Sequence, residues 1–288
     1  MTITEIIDRR GFVVTAELNP PKGVDCSAVL QTAERMAPLV DAINITDNAG
    51  AVMRMGSLPL CHLLKDRGIE PVLQLTCRDR NRIALQSELL NACALGVRNV
   101  LCLTGDHVRL GDHPDAKASF DLDSVSLLWA VERLNSGRDL RGAFLKGATD
   151  LCAGAAANPN ASPSEPQLLK MRRKSQAGAR FFQTQAVFEI SQLRPFASLA
   201  ADLKIPLILG VLVLTTPRGV RFVNEQVSGL HVPAGVSAAV EGAKDPIKTG
   251  VEIAAGLIRE SRKYCQGVHL MNAGPGLVQR ILQEAGLR

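Results

Sequence analysis

The sequence predicts a single (β/α)8 barrel over residues 1–288. Three observations predict it. Short apolar, β-branched runs alternate with longer amphipathic segments, the pattern of βα units wound into a parallel sheet. The runs are continuously apolar rather than alternating, as suits strands covered on both faces. Polar residues collect where these runs end, on the side where a barrel builds its site.

The first strand is GFVVTAEL (11–18), and it must stop near Glu17 because Pro20 and Pro21 carry no N–H for a central ladder. SAVLQTAERMAPL (27–39) follows as a helix, then the strands VDAINITD (40–47) and EPVLQLTC (70–77). RIALQSELLNACALG (82–96) reads as a helix ending on Gly96, and VRNVLCLTG (97–105) as the fourth strand. After a helix at 124–137, the fifth strand is expected at GAFLKGAT (142–149), with DLCAGAAANP as the loop behind it. EPQLLKMRRKSQAG (165–178) has Pro166 in a first-turn position and Gly178 at its end, as a helix would. GARFFQTQA (178–186), PLILGVLV (206–213) and GVHLM (267–271) complete the strands. An open doubly wound sheet is the rival architecture, but no G-x-G-x-x-G follows the first strand. There is no internal repeat, low-complexity tract or interdomain linker.

Hydrophobic content of 46% suits a sizeable core, built mainly from Leu, Val, Ile and Ala because aromatics make up only 3%. A net charge of +5 without a Lys/Arg run argues against a nucleic-acid partner, yet allows a basic pocket for a polyanionic small molecule. Seven cysteines, an odd number without CxxC, read as reduced thiols in a cytoplasm. No signal peptide is visible, and the longest apolar run, IPLILGVLVL (205–214), is about half a membrane span. The expectation is a cytoplasmic protein without a membrane partner. No His/Cys cluster has metal-ligand spacing, so no metal is expected.

The candidate groups are Glu17 after strand one, Thr46-Asp47-Asn48 after strand two, and Gln74 and Thr76 on strand three. Thr104-Gly105-Asp106-His107 closes strand four, Thr149-Asp150 follows strand five, and Gln183, Thr184 and Gln185 lie on strand six. Any one of them could simply begin a loop. Their coincidence on one barrel face is what carries weight.

TAELNPP, LQLTCRD, LCLTGDH, KMRRKSQAGARFFQTQAVFE and LHVPAG, in this order over roughly residues 11–235, resemble the methylenetetrahydrofolate reductase family. The resemblance implies a (β/α)8 barrel with FAD at its C-terminal face, reducing 5,10-methylenetetrahydrofolate to 5-methyltetrahydrofolate by hydride transfer from the reduced flavin. It implies that Glu17 is the general acid that opens the imidazolidine ring. It makes Asp106 a catalytic and pterin-binding carboxylate beside the flavin, and Gln185 the amide that reads the pterin edge. Thr46, Gln74, Thr104, Gly105 and Asp106 match cofactor-contacting positions, and Arg173 and Lys174 the basic pair for its phosphates and ribityl chain.

The departures gather on the flavin side. The family's Arg is Thr104 here, its His is Gln74, and an Asp and an Asn of the basic helix are Gln167 and Lys170. The Tyr and His usual after strand five are missing from DLCAGAAANP. Two alternatives therefore stay open: flavin-free hydride transfer from NAD(P)H, and a tetrahydrofolate-binding methyltransferase barrel. A non-catalytic docking subunit is a third class, disfavoured by the joint presence of Glu17, Asp106 and Gln185. The electron donor, NAD(P)H or an electron-delivering partner protein, and the oligomeric state, homo- or hetero-oligomer, are not legible. Nor is the role of residues 236–288, including GVHLMNAGPG.

Overall fold

Ahead of the first apolar run stands an element the strand pattern does not announce. In the computed structural model, which describes residues 1–227 and 229–287, helix α1 (Ile3–Arg10) is fixed by a capping box. The Thr2 hydroxyl accepts from Glu5 N–H and the Glu5 carboxylate accepts from Thr2 N–H, while Gly11 ends the helix in the left-handed region. Its Ile3, Ile6 and Ile7 are buried against Val13, Ala42, Val72, Leu101, Phe181 and Ile208. The helix thus closes the floor of the barrel with an apolar layer.

The strands are β1 (Val13–Leu18), β2 (Ala42–Ile45), β3 (Pro71–Thr76), β4 (Asn99–Leu103), β5 (Cys152–Ala157), β6 (Phe181–Ala186), β7 (Leu207–Leu212) and β8 (Gly267–Met271). Each pairs in parallel with the next, and β8 returns to β1 through Thr15 opposite His269, so the sheet closes. The covering helices are α2 (Ser27–Met36), α3 (Ser57–Lys65), α4 (Arg82–Ala94), α5 (Ser124–Asn135), α6 (Glu165–Gln176), α7 (Ile190–Ala200), α10 (Pro246–Ser261) and α11 (Pro275–Glu284). Their apolar stripes and the outward strand residues form the main core. Between β7 and α10 the chain adds α8 (Pro217–Gln226) and α9 (Ala234–Glu241), whose Val220, Val223, Val236 and Val240 pack with Phe188 and Leu214 into a separate cluster.

The fifth strand is displaced from its expected place. Residues 142–149 form no strand; Gly142 (φ 91°) and Gly147 (φ 100°) break the extension, and Phe144 is 80% exposed. The strand is instead CAGAAA at 152–157, the segment read as a loop. Its small residues are required by the lumen, since a Cβ on Gly154 would lie 2.2 Å from the Phe181 ring.

All seven cysteines are free, and six are buried. Burial pushes the Cys77 thiol up to about 12, with Asp123 adding to it, and the Cys265 thiol likewise to about 12. No helix among the described residues is long and apolar enough to cross a membrane.

Candidate active site

Above the apolar floor the lumen turns polar. Thr15 Oγ1 lies 2.9 Å from His269 Nδ1, and Asn44 Nδ2 donates across the barrel to Gln183 Oε1 at 3.0 Å. His269 is fully buried. Its Nε2 has no hydrogen-bond partner among the described residues, although Glu17 Oε2 stands 3.5 Å away. Glu17 shares the inward face of β1 with Thr15, because side chains two apart on a strand point the same way. Its side chain is 24% exposed, so the carboxylate stands between a buried imidazole and the open mouth.

Over β3 to β6 the mouth widens into a pocket of about 410 Å3. Its walls include Gln74, Thr104, Gly105, Asp106, Lys174 and Gln185, six of the residues the sequence singles out. Gly105 is required here: its φ is 94°, and a Cβ would come within 3.1 Å of Arg78 Cβ and 3.2 Å of Thr76 Cβ. Thr104 Oγ1 accepts from Ser124 N–H at 3.2 Å, fixing the loop to the start of α5. Gln185 is thrown into the mouth by a bulge, since β6 spends one more residue than β7 between the pairs Gln183–Ile208 and Ala186–Gly210. The Thr184 hydroxyl accepts from Gly210 N–H at 2.8 Å and holds the bulge in place.

Of the residues selected by the family resemblance, three stand elsewhere; Thr149 and Asp150, expected after strand five, instead precede β5 (Cys152–Ala157) and lie at the end of the barrel away from the pocket. Thr46 is buried with its hydroxyl donating to Asn19 Oδ1 at 2.7 Å, and does not line the pocket. Glu17 lies on the β1–β8 side of the mouth, outside the pocket wall. Arg173 faces an outer groove between α5 and α6. Neighbours on a helix point about 100° apart, so Arg173 and Lys174 cannot both face the lumen. On α6 the residue that joins Lys174 in the pocket wall is Lys170, one turn before it.

Lys174 is 4% exposed, and its ammonium donates to the Ala156 carbonyl oxygen. Burial, reinforced by the Lys170 charge, lowers its pKa to about 8. Neither lysine makes a salt bridge to a described residue. Asp123 attracts both lysines at longer range, so the pocket brings two cations together without a direct ion pair to a described residue.

The sequence reading assigned no role to the charges of the CRDR segment. Arg78, 2% exposed, binds Asp79 through Nε at 2.8 Å and through Nη2 at 2.7 Å, and also donates to the backbone oxygens of Asn48 and Asp106. Burial pushes the Asp79 carboxyl up, but the Arg78 hydrogen bond and charge outweigh it and hold it below its ordinary value. Asp47 accepts from Thr76 N–H and Oγ1–H and from Arg80 at 2.7 Å. These bonds tie the ends of β2, β3 and β4 together beneath the pocket. His269 was equally hidden inside GVHLM; a lone imidazole in an apolar strand was the available signal.

Comparison with known proteins places this architecture. The model of the family described as methylenetetrahydrofolate reductase matches residues 2–286. The 5,10-methylenetetrahydrofolate reductase of Pectobacterium carotovorum subsp. carotovorum is 25% identical over 204 residues, which cover 69% of this chain and 63% of that protein. The one from Escherichia coli (strain K12) is 23% identical over 255 residues, 85% of this chain and 80% of that protein. The chain spans 44% of methylenetetrahydrofolate reductase 2 of Schizosaccharomyces pombe. Among solved structures, a protein from Clostridium thermocellum described as binding two copies of 5-methyl-5,6,7,8-tetrahydrofolic acid superposes with a TM-score of 0.64 at 14% identity, covering 98% of this chain and 96% of that one. Tryptophan synthase from M. tuberculosis gives 0.57 at 13%, covering 99% and 98%. At such identities these likenesses speak to the fold alone. With the family model matched over nearly its whole length, this chain belongs to the methylenetetrahydrofolate reductase family.

Proposed function

We propose that the protein reduces 5,10-methylenetetrahydrofolate to 5-methyltetrahydrofolate, with Glu17 as the acid that opens the ring. Family membership and the description of the Clostridium thermocellum protein as binding a methylated tetrahydrofolate support the folate assignment. The observation that carries the role of Glu17 is the inward chain Thr15–His269–Glu17 at the barrel mouth.

Thr15 Oγ1 has a backbone acceptor in Val268 at 3.4 Å. If its proton points there, the hydroxyl accepts from His269 Nδ1–H, and Nε2 turns a lone pair toward Glu17. That contact is favourable when the Glu17–His269 pair holds one proton between them. Glu17 can then give a proton to the leaving nitrogen of the folate ring. As the C–N bond breaks, its electrons stay on that nitrogen and the one-carbon unit becomes an iminium on the other nitrogen. Hydride addition there makes the methyl group. Glu17 regains its proton from solvent through the open mouth, and His269 Nε2, fixed by Thr15, is the acceptor that shares it. Asp106 and Gln185 stand across the mouth with the hydrogen-bonding capacity that a pterin edge needs, an anionic acceptor and an amide that both donates and accepts.

The residues present fit a flavin dinucleotide. Lys170 and Lys174 are adjacent cations held in no direct ion pair with a described residue, as suits a diphosphate, and the bare Gly105 backbone permits close approach of a planar ring. Gln74, Thr104, Gly105, Lys170 and Lys174 would hold it, with Lys170 in place of the Arg173 expected from the sequence. A bound reduced flavin supplies the hydride. NAD(P)H or a partner protein would recharge it.

The test is Glu17→Gln assayed in two halves under anaerobic conditions. Folate reduction is expected to fall by about 10²–10⁴-fold, the usual worth of a positioned acid, with flavin reduction by the donor kept within about twofold. Wild-type turnover with methylenetetrahydrofolate in that variant would remove the acid assignment. A purified protein with no flavin absorbance that still oxidises NADH or NADPH with this substrate would favour direct transfer from nicotinamide.

A further inference from the structure

We propose that the outer groove between α5 and α6 is the seat of a purine base, with the Trp129 indole as its stacking platform. The inference rests on the reading that the neighbouring pocket takes the diphosphate of a dinucleotide. Trp129 is the only tryptophan in the chain, yet 48% of it is exposed. An indole half in water beside a groove leaves part of its ring surface open to a partner.

The groove is shallow and open, about 510 Å3, and is lined by Asp123, Val125, Ser126, Trp129, Arg173 and Gln176, with Ala177 at its end. Val125, Ser126 and Trp129 fall on one stripe of α5, and Arg173, Gln176 and Ala177 on one stripe of α6. The Arg133 guanidinium sits 5.9 Å from the indole centroid and steadies the ring. The groove thus offers an aromatic face, the Arg173 cation and the Gln176 amide, and these match the π-face and polar edge of an adenine.

The groove also continues the pocket. Asp123 lines the groove and Ser124, the next residue, lines the pocket. On α6, Lys170 and Lys174 turn to the pocket while Arg173 turns to the groove. A diphosphate at the two lysines therefore has its flavin or nicotinamide side in the barrel mouth and its adenosine side over Trp129. This placement gives Arg173 a task on the nucleotide that differs from the one its neighbour Lys174 performs.

Because there is one tryptophan, its emission reports on this groove and nothing else. Titrating the purified protein with ADP, which is common to FAD and the nicotinamide dinucleotides, should quench that emission saturably. Calorimetry should show Trp129→Ala weakening ADP and FAD by about 5- to 100-fold, the worth of one base–aromatic stack, with Trp129→Phe recovering most of it. FMN, which lacks adenosine, should bind both variants within about twofold of wild type. Emission unchanged by millimolar ADP would overturn the proposal. So would equal losses for FMN and FAD in Trp129→Ala, or an emission shift that follows protein concentration rather than nucleotide, which would mark a contact between copies. If the protein binds neither FMN nor FAD, the flavin reading falls, and the response to ADP still decides the groove.

Discussion

Replacing Lys174 by Met tests whether the pocket is a cation site kept at a cost to the fold. The lysine is 4% exposed, and its pKa falls from the ordinary 10.5 to about 8, mainly through burial. At 1.36 kcal/mol per pH unit, that fall corresponds to about 3 kcal/mol of lost stability wherever both folded and unfolded chains carry the charge. The sign follows from proton counting. Below pH 8 the lysine is charged in both states and the full penalty applies. Between about 8 and 10.5 the unfolded chain holds more protons, so stability rises with pH, and above 10.5 the penalty is gone. Methionine has similar length and no charge, but it gives up the bond to the Ala156 carbonyl oxygen, worth about 1 kcal/mol. Lys174→Met should therefore stabilise the ligand-free protein by about 2 kcal/mol at pH 7. The gain should shrink to about zero by pH 9.5, where wild type has recovered roughly 2 kcal/mol. Urea denaturation at the two pH values measures both quantities, and the same variant should bind ADP or FAD more weakly at pH 7. A variant less stable than wild type at pH 7, or a difference that ignores pH, would refute the reasoning.

Three further outcomes are expected. Gly105→Ala places a Cβ within 3.1 Å of Arg78 at a φ of 94°, and should cost about 1–3 kcal/mol in denaturant unfolding together with measurable loss of flavin affinity. Arg80→Ala strips the fully buried Asp47 carboxylate of its cation and should destabilise by about 3–5 kcal/mol, with Asp47→Asn in the same chain recovering part of it. His269→Gln keeps a polar group beside Glu17 but has no basic nitrogen to share its proton; kcat of the folate half-reaction should fall about 10–10²-fold with KM little changed and a flattened pH profile, whereas an equal rise in KM would mark a purely structural role.

The strand order and most of the site were legible in local chemistry. Continuous Val/Ile/Leu runs marked β1, β2, β3, β4, β6, β7 and β8, because strands buried on both faces must be apolar throughout. The fifth strand escaped because its packing requirement is smallness: a run of Ala and Gly carries no hydrophobic signature, and only the Phe181 ring opposite Gly154 explains it. Helix α1 escaped for a related reason, since Ile3, Ile6 and Ile7 are too few to announce themselves and matter only as the floor of a closed ring.

By itself the sequence determined which chemical groups would stand at strand ends, because Pro pairs, glycines and β-branched runs set where each strand stops. The tertiary structure decided which of those groups share a surface. Gln74, Thr104, Gly105, Asp106, Lys174 and Gln185 meet in one pocket, while Thr46 is committed to Asn19 and Arg173 turns outward. Only closure of the ring brings His269 of β8 beside Glu17 of β1, across more than two hundred residues of chain. Spacing along a strand or helix fixes the direction of a side chain, but what it faces belongs to the partner element, and that pairing is a property of the whole fold.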